Sequence, residues 1–320
     1  MGDYQGNLKL EACACTAFVP SMCVGLDMAW YGGSKKDPAS QQDVLLWVHR
    51  TSLSETSALQ IRRLKLEHRD PEAAQLLDAI GCLCPREDFN DVPFFMGIDA
   101  PLMAEQRAHQ QWTYRASDHA LSQGRMEVDR RQGGSQGWHP RLQPGYPIPP
   151  RVKALVEGLK SILSAQVWTP QVKKERGILL ESFPSEALWS ARTQGLFHGS
   201  MAEAVKAYKR QRGRWLEATE VKHLVRTVLL PLAGFLEEPK VWVAIVGQLM
   251  EWLLTDSSWQ VQGCYQGGKG LDDVVDSAIC LLIALCASEG RAHAWFDPEH
   301  PEDGHIAGPG PVDLFMRPPS

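Results

Sequence analysis

No excess of positive charge marks this chain. Its net charge is −5, so no global basic field draws in nucleic acid, and any phosphate contact must come from a local patch. No apolar run is long enough to span a bilayer. The longest, residues 241–254 and 274–287, are short and broken by Gln248, Glu251 and Asp276. The polar start, residues 1–10, holds no basic segment followed by an apolar one. The expectation is a soluble, cytoplasmic protein with no membrane partner. There is no G-x-G-x-x-G, no Walker-type phosphate loop, no H-E-x-x-H and no internal repeat. Dinucleotide binding, Walker-type ATP use and zincin chemistry therefore have no support.

Cysteine is present but not as a disulfide framework: eight in 320 residues are too few to staple a chain that can bury its own core. Cys23, Cys280 and Cys286 lie in apolar context, which suits reduced thiols. Two Cys-x-Cys pairs, Cys13/Cys15 and Cys82/Cys84, could join in a zinc site, but one-residue spacing is not that of a zinc knuckle.

What is there is a series of apolar runs that each end in an acid. Residues 22–27 read as a buried strand with Asp27 at its tip. Residues 43–50 and 59–66 return as second and third strands of an antiparallel meander. Pro71 opens a helix, and residues 92–98 form a fourth strand closed by Asp99 and Pro101. Residues 133–150 are rich in Gly and Pro and read as a loop, a candidate lid. Residues 150–166 read as an amphipathic helix. A fifth run, 177–181, ends at Glu181, and Pro184 opens the next helix. Residues 201–234 and 239–254 are helix-rich. A glycine-rich hinge at 264–270 then leads into an apolar helix that begins Leu271-Asp272-Asp273-Val274-Val275-Asp276. Beyond Arg291 the chain is Pro- and Gly-rich; His300, Asp303 and His305 there read as a solvated turn.

Asp272 suits a helix cap. Asp273 and Asp276, three residues apart, share a helix face. With Asp27, Asp99 and Glu181 at strand ends, they would crowd several negative charges into one crevice, which is costly unless cations fill it. Carboxylate oxygens are the donors that Mg²⁺ or Mn²⁺ prefers. Two such ions about 4 Å apart can activate water and stabilise the leaving oxygen of a phosphodiester.

Five pieces stand in a fixed order: Gly25-Leu26-Asp27, Ile98-Asp99-Ala100-Pro101-Leu102, Arg115-Ala116-Ser117-Asp118, Glu181-Ser182-Phe183-Pro184 and Asp272-Asp273-Val274-Val275-Asp276-Ser277-Ala278. In this the sequence resembles the predicted ribonuclease H-like nucleases, a family catalogued as a domain of unknown function, over roughly residues 22–306. The resemblance implies an α/β fold with a mixed five-stranded sheet flanked by helices and a helical insertion. It implies a metal-dependent nuclease in which Asp27, Asp99 and Asp276 bind Mg²⁺ or Mn²⁺, assisted by Asp273 or Glu181. Two departures stand out. Where the family often has an acid after the proline of the fourth piece, this chain has Ser185, with Glu186 next. Ser277 takes the place of a common alanine.

The layout expected is an extension over 1–20, one domain over 21–310 with an inserted loop at 124–150 and a helical insertion at 200–262, and a tail over 311–320. For an RNA, DNA or hybrid substrate, Arg115 and the run carrying Lys206, Lys209 and Arg210, beside Tyr208 and Trp215, are the candidate contacts. Two rivals are an ATP-binding protein of the actin and sugar-kinase architecture, to which Asp27 and Gly32-Gly33-Ser34 bear a faint likeness, and a non-catalytic interaction protein that keeps the fold and docks through exposed apolar helices in 221–254.

Overall fold

The structure is a computed structural model and describes residues 9–12, 18, 20–28, 42–65, 78, 92–102, 121, 150–169, 177–196, 217–255, 271–296 and 304–310. Nine strands form one mixed sheet: β1 (Lys9–Ala12), β2 (Ser21–Asp27), β3 (Gln42–Arg50), β4 (Gln60–Lys65), β5 (Phe94–Ile98), β6 (Ala165–Val167), β7 (Gly177–Ser182), β8 (Ala292–Phe296) and β9 (Ile306–Pro309). Among the described residues five α-helices accompany them: α1 (Pro150–Leu163), α2 (Pro184–Thr193), α3 (Ala218–Leu229), α4 (Pro239–Thr255) and α5 (Leu271–Ser288). The strand order is β1-β8-β9-β7-β5-β2-β3-β4. The centre is parallel, β2 with β5 and β5 with β7, and the β2-β3-β4 meander is antiparallel.

Burial on both faces explains the continuous apolar runs of the central strands. Alternate residues feed two cores. Cys23, Val44, Leu46, Val48, Phe95, Ile178 and Leu180 face a large core shared with α2, α3, α4 and α5. Met22, Val24, Leu26, Leu45, Trp47, Met96, Ile98 and Leu179 face a smaller one, covered by Val152, Leu155, Val156 and Leu159 of α1. The apolar stripe read from the sequence of α1 is the stripe that is buried.

Helix α5 is buried on all sides, and only Asp273 among its residues is not fully covered. It lies backbone to backbone on the sheet. A Cβ at Gly25 would collide with Ser277 O and Leu281 N, and one at Gly97 with Cys280 O. Glycine is therefore required at both positions by close approach. On its other side α5 meets α2 and α3. Helix α3 opens with a reciprocal capping box between Glu217 and Glu220. Trp242 Nε1 donates to Leu229 O at 2.7 Å, tying α4 to α3.

Several expectations are corrected. The sheet has nine strands rather than five. Helix α1 stops at Leu163; Ser164 takes a positive φ of 52° and the chain turns into β6. The segment after Arg291, read as a tail with a solvated turn, supplies β8 and β9, both buried. In 221–254 the apolar residues of α3 and α4 face inward; of the large ones only Val243 is exposed. That leaves little apolar surface there for docking. No helix among the described residues is long and apolar enough to cross a membrane.

Candidate active site

Register decides which acids meet. Leu26 pairs with Ile98, and Ile98 with Glu181. Asp99 N donates to Leu26 O at 2.9 Å, so the ladder runs on past the end of β5. Asp27 thus lies on the α5 side of the sheet, at the same pleat position as Cys23 and Gly25, and Asp99 follows Gly97 in the same way. Both stand at the C-terminal ends of adjacent parallel strands, where open α/β sheets form their ligand crevices.

Glu181 is one residue out of step. Aligned with Leu26 and Ile98, it belongs to the α1 face of the sheet. There its carboxylate accepts a hydrogen bond from Leu102 N at 2.9 Å, in a buried setting. The structure thus does not group Glu181 with Asp27 and Asp99; it braces the Asp99–Leu102 turn from beneath. The residue in step with Asp27 and Asp99 is Ser182, buried at 2% exposure, whose Oγ reaches toward Gly97. Sequence reasoning passed over Ser182. The register signal that finds it is the count of residues from each apolar run to its acid.

Helix α5 brings the remaining acids. Cys280 sits over Gly97 on β5, and Asp276 is one turn nearer the helix start on the same face. Ser277 sits over Gly25 on β2, and Asp273 is one turn above it. Asp276 is buried at 3% exposure, as is Asp27 at 4%, whereas Asp273 is partly open. Asp272 is buried as well, inside the first turn rather than at the cap position expected of it. Its charge still faces the positive end of the helix dipole. Burial and then the negative charges of Asp99, Asp27 and Asp276 push the Cys280 thiol well above its ordinary range.

Glu186, the displaced family acid, points elsewhere. It is fully buried, and its Oε1 accepts from Ser190 Oγ at 2.7 Å and Trp295 Nε1 at 2.9 Å, with His293 Nε2 at 3.0 Å. His293 Nδ1 faces Gly310 O at 3.0 Å. The ring of His293 is thus held between two oxygens, one at each nitrogen. It fastens α2 to β8 inside the core.

The all-oxygen donor set of Asp27, Asp99 and Asp276 matches the chemistry of Mg²⁺ or Mn²⁺. Mg²⁺ keeps several waters and needs only one or two protein carboxylates. Among the described residues, however, no group of three or more His, Cys, Asp or Glu is drawn together closely enough to form a ready-made metal cage. Arg115, Asp118, Lys206, Lys209, Arg210, Gly32–Ser34 and the four cysteines Cys13, Cys15, Cys82 and Cys84 lie outside the described residues. So does Gly133-Gly134-Ser135-Gln136-Gly137, which has the spacing of a hydrolase elbow but falls in the Gly- and Pro-rich stretch rather than between a strand run and a helix run. Cys23, Cys280 and Cys286 are free and buried.

Comparison with protein-family models, curated proteins and solved structures finds no match to this chain.

Proposed function

We propose that the chain is a metal-dependent phosphodiesterase, a cytoplasmic nuclease of ribonuclease H-like architecture acting on RNA or DNA. The observation that carries this reading is the shared pleat face of Asp27 and Asp99 at adjacent parallel strand ends, with Asp276 delivered to the same side by α5. The path β4-β3-β2-β5-β7, with only β3 antiparallel to its neighbours, supports it. This is the meander-plus-parallel layout that the resemblance calls for.

In this reading Asp27, Asp99 and Asp276 hold Mg²⁺ or Mn²⁺, which supplies positive charge at the phosphate and an acidified water. Asp273, the partly open acid of α5, orients water or substrate at the crevice. Glu181 contributes by holding the turn that carries Asp99. Arg115, Lys206, Lys209 and Arg210 are the proposed phosphate contacts.

The test pairs calorimetric titration of Mn²⁺ with cleavage assays on single-stranded RNA, DNA and hybrid duplex. Wild type should bind Mn²⁺ and cleave at least one substrate. Asp27→Asn should lower cleavage by more than about a hundredfold while its melting temperature holds or rises. A wild-type protein that neither binds Mn²⁺ nor hydrolyses any of these substrates would sink the proposal.

A further inference from the structure

The Ser277 side chain does something that an alanine at this position cannot. Its hydroxyl is fully buried and lies 2.9 Å from Gly25 O and 3.0 Å from Val44 O. Gly25 and Val44 belong to neighbouring strands, β2 and β3, and Val44 is the residue paired with Asp27. One proton is thus shared between two carbonyls that flank the strand end carrying Asp27. The next residue back along α5 is Asp276.

We propose that Ser277 is a positioning residue that fixes where Asp276 stands relative to Asp27. Gly25 lets the helix backbone touch the sheet, but close contact alone leaves α5 free to slide along the groove. A hydroxyl bonded to two fixed carbonyls removes that freedom at the point where β2 and β3 meet. It also satisfies carbonyl groups that the helix shields from water. Because Asp276 and Ser277 are consecutive in a rigid helix, any shift of Ser277 is passed to Asp276 undiminished. The inference rests on the reading above only for its metal-binding consequence; the geometric claim stands by itself.

The experiment compares wild type, S277A, D276N and the double variant. Alanine is a good helix former with no polar group to bury, so S277A should fold. If it does not, Ser277→Cys, of similar shape and with a weak donor, replaces it. Crystal structures of wild type and S277A should differ by roughly 0.5 Å or more in the Asp27–Asp276 carboxylate separation. Mn²⁺ affinity should fall about tenfold in S277A, with no further loss when the change is added to D276N. An S277A structure whose α5 superposes on wild type overturns the proposal, as does an equal loss of affinity with and without Asp276. If wild type binds no Mn²⁺, the functional reading fails and the crystallographic comparison alone decides the positioning.

Discussion

The two ends of α5 bury charge in opposite ways. Just past its C-terminus Glu289 Oε1 meets Arg50 Nη2 at 2.5 Å, and both side chains are fully buried. Arg50 also donates to Ser52 O and Leu53 O, and Glu289 Oε2 accepts from Glu237 N at 3.0 Å and lies 3.9 Å from Arg291 Nε. Charge there is answered by opposite charge. At the N-terminal end Asp27, Asp99 and Asp276 add their negative charge to the effect of burial in raising the Cys280 thiol. Folding stability alone explains the first arrangement. In the second, like charges brought together weaken a fold to the extent that other groups do not offset them. The difference separates a structural ion pair from a candidate site.

The most forceful way to break this contrast is to remove one half of the structural pair. Arg50→Met should cost about 3–5 kcal/mol, since Glu289 is left buried without its cation; urea unfolding measures it. A loss under 1 kcal/mol would mean that the C-terminal pair matters no more than a surface one.

A third buried group tests burial by itself. His305 is 4% exposed, stacks on Phe296 with ring centroids 4.7 Å apart, and its Nδ1 finds no hydrogen-bond partner among the described residues. Burial lowers its pKa from 6.5 to about 4. The folded state therefore disfavours the proton that the unfolded state accepts. Stability is complete above about pH 6.5 and is lost as pH falls toward 4. His305→Phe should keep the stack and remove that slope, leaving the variant on the order of 1–2 kcal/mol less acid-sensitive between pH 7 and 5. Parallel acid titrations of wild type and variant would show the difference; identical curves would count against it.

The smallest effect sharpens the contrast most. Asp276→Asn keeps the shape and relieves repulsion, so it should leave stability unchanged or raise it by up to about 1 kcal/mol. Glu289→Gln should lower it. If the two neutralisations shift the unfolding midpoint in the same direction, the ends of α5 do not differ as described.

Much of the central sheet was legible because parallel strands covered on both faces leave long apolar runs. β2, β5 and β7 each showed one, and the meander followed from its turns. The acids at their ends were equally plain. Their facing was not. Asp27 and Glu181 look alike in sequence, and only the register between strands places one on the α5 side and the other beneath. The outer strands hid for local reasons. β6 has three residues, too few for a pattern. β9 reads Ile-Ala-Gly-Pro, which signals a loop, yet Gly308 is there because His293 Nε2 and Glu186 Oε1 fill the space a Cβ would take. The partners that make this glycine necessary are 15 and 122 residues away. A local reading has no access to them.

The contact between Ser277 and Gly25 spans 252 residues. That separation bears on how the chain reaches its final state. The first two strands of the meander leave the ribosome early, but the helix that covers them is among the last elements made. Until it arrives, Cys23, Val44, Leu46 and Phe95 lack the helix that packs most closely on that face, and the groove over Gly25 and Gly97 is open. Contacts of such long range fold slowly and leave apolar surface exposed in the interval. The helix that assembles the acids is also the piece that ends this vulnerable period, so a nascent chain acquires its completed core and its acidic crevice in one late step.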